Sequence, residues 1–177
     1  MKTGEIIKTF TAKDGRKVIL RTPKHEDLND LWEFINSLVE ERADIIRNEK
    51  VSIEDENKWF IGALEQLERD EVFFMIAEVN GKVVANSEVR CHKGGYDSHV
   101  GVVGIAIRDG FREVGVGTEI MNTLIEHAKR IGLKVLVLSA FSSNTRAIHV
   151  YEKVGFVPTG KIPRKFLRDG GFIDEVF

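Results

Sequence analysis

The stretch HVGVVGIAIRDGFREVGVGTEIMNTLIEHAKRIG, residues 99–132, decides the fold of this protein. It begins with an apolar run typical of a buried β-strand and ends with apolar residues at helical spacing before a glycine. Between them lies REVGVG, residues 112–117, with Arg112, Gly115 and Gly117. A basic turn with two glycines between a strand and a helix is typical of a phosphate-binding loop. A simple turn from strand to helix explains the glycines equally well.

Two familiar phosphate-binding loops do not fit this turn. A nucleoside-triphosphate loop has the pattern G-x-x-x-x-G-K-[ST], and here Val116 stands where a lysine should follow Gly115. A dinucleotide loop has the pattern G-x-G-x-x-G, and here Ile120 occupies the third glycine position. Both mismatches disfavour a nucleotide-binding regulator.

Composition and charge narrow the class of protein. The chain has 177 residues, 42% of them hydrophobic, and a net charge of −2, values typical of one soluble globular domain, expected over residues 1–177. Without a basic excess, nucleic acid is not an expected partner. The N-terminus, MKTGEIIKTF, lacks an apolar signal core, and no run approaches the roughly 20 apolar residues of a membrane span. We therefore expect a cytoplasmic protein with no membrane partner.

The hydrophobic pattern predicts the element order ββααβββαβαββ. Asn80-Gly81 marks one hairpin and Lys93-Gly94-Gly95 a second, and KVLVLSAF, residues 134–141, predicts a buried strand. The inward residues expected on the second helix are Trp59, Phe60, Ala63, Leu64 and Leu67. The predicted fold is α/β (α+β), with a mixed, mostly antiparallel sheet of about seven strands and about four flanking helices.

A second pattern follows the glycine loop. The stretch LVLSAFSSNTRAIHVYEKVGF, residues 136–156, predicts a strand and then a helix that Asn144 caps and a Gly-Phe pair ends. Ala147 and Tyr151 lie on that helix. Together and in this order, the two patterns resemble the acetyl-coenzyme A motif of the GNAT superfamily of N-acetyltransferases.

The resemblance covers about residues 16–177 and is sharpest over the acetyl-coenzyme A core, about 99–159. The C-terminal RDGGFIDEVF also resembles the closing strand of amine-directed members of the family. It implies a single GNAT domain whose sheet is splayed at the cofactor site. Here the separated strands would be residues 104–107 and 136–141.

The resemblance also assigns residues to coenzyme A. The loop amides would bind its pyrophosphate at the helix N-terminus, where the helix dipole favours an anion, and Arg112 would add a charged contact. The unpaired strand edge would bind the pantetheine amides, and a β-bulge near Gly104 would open that edge. The predicted cofactor-binding residues are Ile105, Ala106, Ile107, Arg112, Glu113, Val114, Gly115, Val116, Gly117, Thr118, Asn144 and Ala147.

The implied reaction transfers an acetyl group from a thioester to an amine. Backbone N–H groups near residues 105–107 are the natural donors to the oxyanion that forms. Tyr151 lies about two helical turns after Asn144, so the two side chains share one helix face. If Asn144 contacts the pantetheine, the Tyr151 hydroxyl can protonate the departing thiolate. A packing role for the Tyr151 ring is the alternative.

A general base is harder to assign. Some members of the family carry a glutamate at the position of Gly101, and here no carboxylate occurs between His99 and Ile107. Glu88, on the preceding strand, is the predicted catalytic base, and His99 is a second candidate. The alternatives are a merely solvated Glu88 and a chain of water molecules that removes the proton.

No metal is expected at this site. Cys91, His92 and His99 are the residues that could converge, across the second hairpin. The sequence contains no C-x-x-C or H-x-x-x-H pair, the spacings typical of metal ligands.

The acceptor is predicted from the stretch between the first two helices, which walls the acceptor pocket in this family. Its acidic excess is modest but would attract an ammonium group, and a solvated surface is the alternative. The charged residues are Glu40, Glu41, Asp44, Glu49, Glu54, Asp55 and Glu56 against Arg42, Arg47 and Lys50. We expect a small primary amine such as an amino acid or polyamine. A protein N-terminus or lysine, a non-catalytic acyl-coenzyme A sensor, and pairing into a homodimer stay open.

Overall fold

The computed structural model describes residues 1–91 and 93–177, which form nine β-strands and four α-helices. The strands are β1 (Ile6–Thr11), β2 (Lys17–Arg21), β3 (Val72–Val79), β4 (Lys82–Cys91), β5 (Val100–Ile107), β6 (Val135–Val137), β7 (Ala140–Phe141), β8 (Lys161–Arg168) and β9 (Gly171–Val176). The helices are α1 (Leu28–Glu40), α2 (Ile53–Glu68), α3 (Val116–Arg130) and α4 (Thr145–Lys153), with a 3₁₀ turn, His25–Asp27, before α1. The predicted order is confirmed, except that one predicted strand is divided into β6 and β7.

The strands belong to two sheets. The larger sheet has the order β1-β2-β3-β4-β5-β6, and the smaller has the order β7-β9-β8. Only the β5–β6 pair is parallel among the described strands, so the prediction of a mixed, mostly antiparallel fold is confirmed. The single buried strand predicted for residues 134–141 is wrong. The stretch breaks at Leu138 and Ser139, and Val135 and Val137 are 44% and 41% exposed.

Helices cover both faces of the larger sheet. α1 and α2 pack on one face, called the α1–α2 face, through residues that include Leu31, Phe34, Phe60 and Leu64. α3 packs on the opposite face. Trp59 does not point inward as predicted, because it is 40% exposed and rests edge to face on Phe74 at 5.7 Å between ring centroids. No helix in the described ranges is long and apolar enough to cross a membrane.

A two-residue turn sets the register in the middle of the larger sheet. Asn80 and Gly81 have φ angles of 50° and 77°, the left-handed values that a type I′ hairpin requires, so this predicted hairpin is confirmed. Residues directly opposite each other in neighbouring strands point to the same face. Two rows across β3, β4 and β5 therefore lie on the α1–α2 face: Phe74, Glu88 and Gly104, and next to it Ile76, Asn86 and Ala106.

The larger sheet opens between β5 and the strand that follows α3. Within the described chain, β5 and β6 pair only at Val100, Gly101 and Val102, whereas β7 pairs with β9 of the smaller sheet. The rest of β5, residues 103–107, therefore has one free edge. The predicted splay is confirmed at this position.

The cause of the opening is not the predicted bulge near Gly104. The register between β4 and β5 runs without a shift, so that prediction is wrong. Gly101 lies in the middle of the short β5–β6 pairing and is tightly packed there. A Cβ there would lie 2.7 Å from Leu133 Cδ1, 2.8 Å from Leu136 Cδ2 and 2.9 Å from Val89 Cγ1. The pairing ends one residue later, at Val102, and the chain then leaves β5, because β7 hydrogen-bonds to the smaller sheet.

Candidate active site

The turn between β5 and α3 presents a row of unpaired backbone amides. In the part of the chain that is described, the amides of residues 112–118 donate no hydrogen bond to another protein group. The first amide with a partner is that of Glu119, which donates to the Gly115 carbonyl at 3.1 Å. Free amides at a helix N-terminus carry partial positive charge and favour an anion. The turn is therefore built to receive a group such as pyrophosphate.

The backbone of this turn is bent into a concave shape. Glu113 and Gly115 have left-handed φ angles of 62° and 92°. Left-handed residues spaced along a turn make successive amides converge, the geometry of an anion-binding nest. Gly115 adopts this conformation without steric cost, whereas Glu113 is held in it at a cost of roughly 1–2 kcal/mol. A strained residue beside a row of free amides is typical of a ligand-binding loop.

Two basic side chains, Arg112 and Lys13, lie at the turn, and the contact of Arg112 with the cofactor stays a prediction. The Arg112 guanidinium donates to the Ile107 carbonyl at 2.8 Å and forms an ion pair with Glu41, so its charge is already matched. Lys13, in the β1–β2 turn, lies beside the loop. Its Cγ is 3.7 Å from where a Gly115 Cβ would be, and it forms no ion pair among the described residues. Sequence reasoning missed Lys13, because nothing local marks a lysine that the fold brings to a distant turn.

Three predicted binding residues, Ile105, Ala106 and Ile107, lie in the part of β5 that has one free edge. Backbone groups of successive residues alternate between the two edges of a strand, so those of Ile105 and Ile107 point to the free edge, whereas those of Ala106 face β4. The Ile107 carbonyl is the exception, since it accepts from Arg112. The remaining edge groups are available to the amides of an extended ligand or to an oxyanion.

Across the gap, Asn144 begins α4 as predicted. Its Oδ1 accepts a hydrogen bond from the Ala147 amide at 3.2 Å, which makes Asn144 the N-cap. The Ala147 N–H is thereby occupied. The side-chain NH₂ of Asn144 has no partner among the described residues and is free to donate to a ligand.

Tyr151 is half-buried on the same helix. Its ring packs on Phe156 at 6.3 Å between centroids, and its hydroxyl makes no hydrogen bond within the described chain. It lines an apolar cleft of about 590 Å³ between β6, α4 and the C-terminal end of β9. Burial raises the pKa of Tyr151 to about 12, because desolvation disfavours the phenolate. The hydroxyl therefore stays protonated at physiological pH, as a proton donor to a thiolate must.

Glu88 lies beside the free edge but is already in an ion pair. Its carboxylate accepts from Arg90 Nε at 2.8 Å and from Arg90 Nη2 at 2.7 Å. Its Cγ is 3.4 Å from where a Gly104 Cβ would be, so the side chain covers this glycine. The position is close to that expected of a base, but both oxygens are occupied. Glu88 as the base stays a prediction.

The other positions considered for a base are poorly placed. A glutamate at Gly101 would collide with its neighbours, as the 2.7 Å approach of Leu133 shows. His99 is exposed and precedes β5, about 17 Å from Gly104 at roughly 3.4 Å per strand residue. His92 lies outside the described residues, so the proposed meeting of Cys91, His92 and His99 cannot be described. Among the residues that are described, no three are grouped to hold a metal ion.

We expect Glu88→Gln to lower kcat/KM by less than about fivefold and to leave the pH–rate profile in place, since Arg90 already occupies the carboxylate. Initial rates over a range of pH would measure this. A lost or displaced acidic limb in the variant would instead identify Glu88 as the base.

The loop between α1 and α2 closes over the α1–α2 face at the gap. At one end, Glu41 binds Arg112 of the phosphate turn. Further along, Asp44 accepts from Arg168 at 2.7 Å and from Ser143 at 3.1 Å, on the far side of the gap. The loop therefore bridges the two halves of the site and restricts access to it.

Most charges in residues 40–56 are paired, so the acidic excess at the rim is smaller than the sequence suggests. The ion pairs are Glu40–Lys50, Glu41–Arg112, Arg42–Asp169, Asp44–Arg168 and Asp55–Lys58. Paired charges give a weaker long-range field than free ones. The predicted attraction for an ammonium group must therefore come from a more local feature.

The sequence match completes this picture. Residues 31–156 match the model of the Acetyltransferase (GNAT) family. The chain belongs to this family. The matched range contains the phosphate turn, the free edge of β5 and all of α4. The chain therefore has an acyltransferase fold, and it is called the GNAT protein below.

Individual relatives agree on acetyl transfer and differ in the acceptor. A Bacillus subtilis protein provisionally named phosphinothricin acetyltransferase YwnH is 28% identical to the GNAT protein over 153 residues, 85% of this chain and 91% of the relative. An N-alpha-acetyltransferase of Sulfurisphaera tokodaii is 26% identical over 170 residues, 90% of this chain and 91% of the relative. The solved structure of Salmonella typhimurium yncA with its cofactor acetyl-CoA has a TM-score of 0.76 at 20% identity, covering 90% of each chain. That likeness confirms the fold.

Acetyl-coenzyme A fits the residues present in the GNAT protein. The turn at 112–118 offers free amides for its phosphates, and the free edge of β5 offers backbone groups for its pantetheine amides. The Tyr151 hydroxyl, on α4, has no partner in the described chain.

Proposed function

We propose that the GNAT protein transfers the acetyl group of acetyl-coenzyme A to a primary amine of a small molecule, such as an amino acid or polyamine, in a ternary complex. The observation that carries the proposal is the free β5 edge next to the unpaired amides of residues 112–118. Together these backbone groups can bind the amides and the phosphates of an extended cofactor.

The role that we propose for each group follows from its position. The amides of 112–118 and the Lys13 ammonium bind the pyrophosphate, and the Asn144 side chain and the β5 edge hold the pantetheine. Backbone N–H groups of β5 near Ile105 stabilise the oxyanion formed when the amine attacks the thioester carbonyl. As the C–S bond breaks, the Tyr151 hydroxyl donates its proton to the thiolate.

A small acceptor is favoured by the loop that covers the gap. Asp44 fastens this loop to Ser143 and Arg168, and Glu41 fastens it to Arg112. A protein segment would have to displace these contacts, whereas a metabolite need only pass beside them. The similarity to the phosphinothricin acetyltransferase of Bacillus subtilis points to the same class of acceptor.

The test is a panel of acceptors assayed with acetyl-coenzyme A by release of free thiol. The panel contains the common amino acids, phosphinothricin, polyamines and peptides with free N-termini. We expect at least one small amine to exceed every peptide in kcat/KM by tenfold or more.

Two results would contradict this proposal. Efficient acetylation of peptides with poor use of every free amine would make the protein an N-terminal acetyltransferase, as its Sulfurisphaera relative is named. Tight binding of acetyl-coenzyme A without turnover of any amine would indicate a sensor.

A further inference from the structure

One acidic side chain is buried on the α1–α2 face without a hydrogen-bond partner. Glu56 is 6% exposed, and within the described chain its carboxylate accepts no hydrogen bond and forms no ion pair. It lies on the inward side of α2 together with Phe60, Ala63, Leu64 and Leu67. Buried carboxylates are normally paired or hydrogen-bonded, because removing a charge from water is costly. No fully enclosed polar side-chain atom of the described chain lacks a partner, so the Glu56 oxygens still reach the surface, where a ligand can meet them.

The fold places Glu56 on the α1–α2 face of the larger sheet, over its middle rows. α2 and β3 run antiparallel and are joined by a short turn, and Trp59 of α2 rests on Phe74 of β3. The turn of α2 that precedes Trp59 therefore lies over the next row of the sheet, which ends at Ala106. Ala106 lies in the part of β5 that has no partner strand on its other side.

Other polar and charged groups are also associated with this part of the α1–α2 face. Asn86, in the middle of the same row, is half-buried, and its side chain makes no hydrogen bond with the described residues. Arg47, in the loop that covers the site, is the one charge that acts on Glu56 appreciably. The Glu88–Arg90 ion pair occupies the adjacent row and is internally neutralised. Glu56 is thus an acidic group on this face that has no ionic partner among the described residues.

We propose that Glu56 receives the ammonium group of the acceptor and takes its proton. This inference rests on the proposed function, since it assigns the base that amine acetylation needs. The N–H bond of the ammonium breaks and its proton passes to a Glu56 oxygen, leaving a neutral amine. The amine nitrogen then bonds to the thioester carbonyl carbon, and the C–S bond breaks. Tyr151 protonates the departing thiolate, and the second proton, which the nitrogen loses as the amide forms, restores the Tyr151 hydroxyl.

The acid–base properties of Glu56 are consistent with this role. Desolvation raises the pKa of Glu56 from 4.5 to about 7, and Arg47 opposes the rise. A base whose pKa lies near the working pH is present partly as the carboxylate and holds a proton once it has accepted one. Its position in the first turns of α2 also allows the helix dipole to support the charged form.

The test compares Glu56→Gln with the full-length wild type, using the best amine from the acceptor panel. At pH 7 we expect kcat to fall at least fivefold while the affinity for acetyl-coenzyme A stays within twofold. The difference in kcat between the variant and the wild type should become smaller as the pH approaches the pKa of the amine, since a neutral amine needs no base. Glu54→Gln removes an exposed carboxylate from the same turn and should leave kcat within twofold.

Thermal melting separates this role from a structural one. Above pH 7 the folded wild type must hold an ionised, buried Glu56, so the glutamine variant should melt at a higher temperature at pH 8. Below about pH 4 Glu56 is mostly protonated in both the folded and the unfolded chain, and the two melting temperatures should agree. A variant that is more stable yet slower is the signature of a functional group. A lower melting temperature at pH 8 would show that Glu56 is structural and overturn the proposal.

Kinetic measurements separate the proposed role of Glu56 from the proposed acetyl transfer. A wild-type kcat in Glu56→Gln, or a raised KM with an unchanged pH profile, would overturn the role of Glu56 while acetyl transfer stands. Failure of the wild type to acetylate any amine would overturn the proposed function itself.

Discussion

Tyr151→Phe should lower kcat by about 10- to 1000-fold while the dissociation constant of acetyl-coenzyme A changes little. The reason is that the hydroxyl has no hydrogen-bond partner among the described residues, whereas the ring packs on Phe156. Removing the oxygen therefore leaves the packing intact and deletes the proton donor. Steady-state rates and calorimetric titration of the variant would measure the two quantities.

Tyr96→Phe is the matched control, because Tyr96 is fully exposed in the loop between β4 and β5. It removes the same oxygen from a tyrosine outside the gap, and its kcat should equal that of the wild type. An unchanged kcat in Tyr151→Phe would assign the ring to packing alone, and the thiolate would then take its proton from elsewhere.

Gly117→Leu should weaken binding of acetyl-coenzyme A by tenfold or more. From the sequence, the expected reason is that a bulky side chain excludes the pyrophosphate directly. The structure indicates a different reason. A Cβ at Gly117 would lie 3.1 Å from Ile107 Cδ1 and 4.0 Å from Val150 Cγ1. A leucine would therefore push α3 away from both β5 and α4, the two elements that line the cofactor gap. Isothermal titration with acetyl-coenzyme A would measure the loss.

Gly62→Leu provides the control for this substitution. Gly62 also lies in a helix, but nothing stands within 4 Å of its Cβ position. Its affinity for acetyl-coenzyme A should match that of the wild type. Equal affinity in both leucine variants would show that the start of α3 does not bind the cofactor.

Local patterns were sufficient for much of the fold. The Asn80-Gly81 turn, the N-cap at Asn144 and the apolar spacing of the helices depend on residues near one another in the chain. Their physics is short-range, so a single sequence predicts them. The phosphate turn belongs to the same class, because its free amides follow from a strand, a bend and a helix start in succession.

The division of the last predicted strand could not be predicted locally. Residues 134–141 are apolar throughout, which is equally compatible with one strand or two. β6 pairs with β5 and β7 pairs with β9, and these competing partners lie far apart in sequence. The opening that forms the site is decided by that competition, which exists only in the assembled fold.

The charged residues of the site show most clearly what the sequence alone does not predict. The sequence by itself determined a family, a phosphate turn, and the position of Tyr151 on the same helix face as Asn144. Only the tertiary structure decided which charges are free: Arg112 and Glu88 are committed to partners, whereas Lys13 is unpaired among the described residues. Ionic partners are chosen by distance in space and by burial, which a linear pattern of charges does not contain.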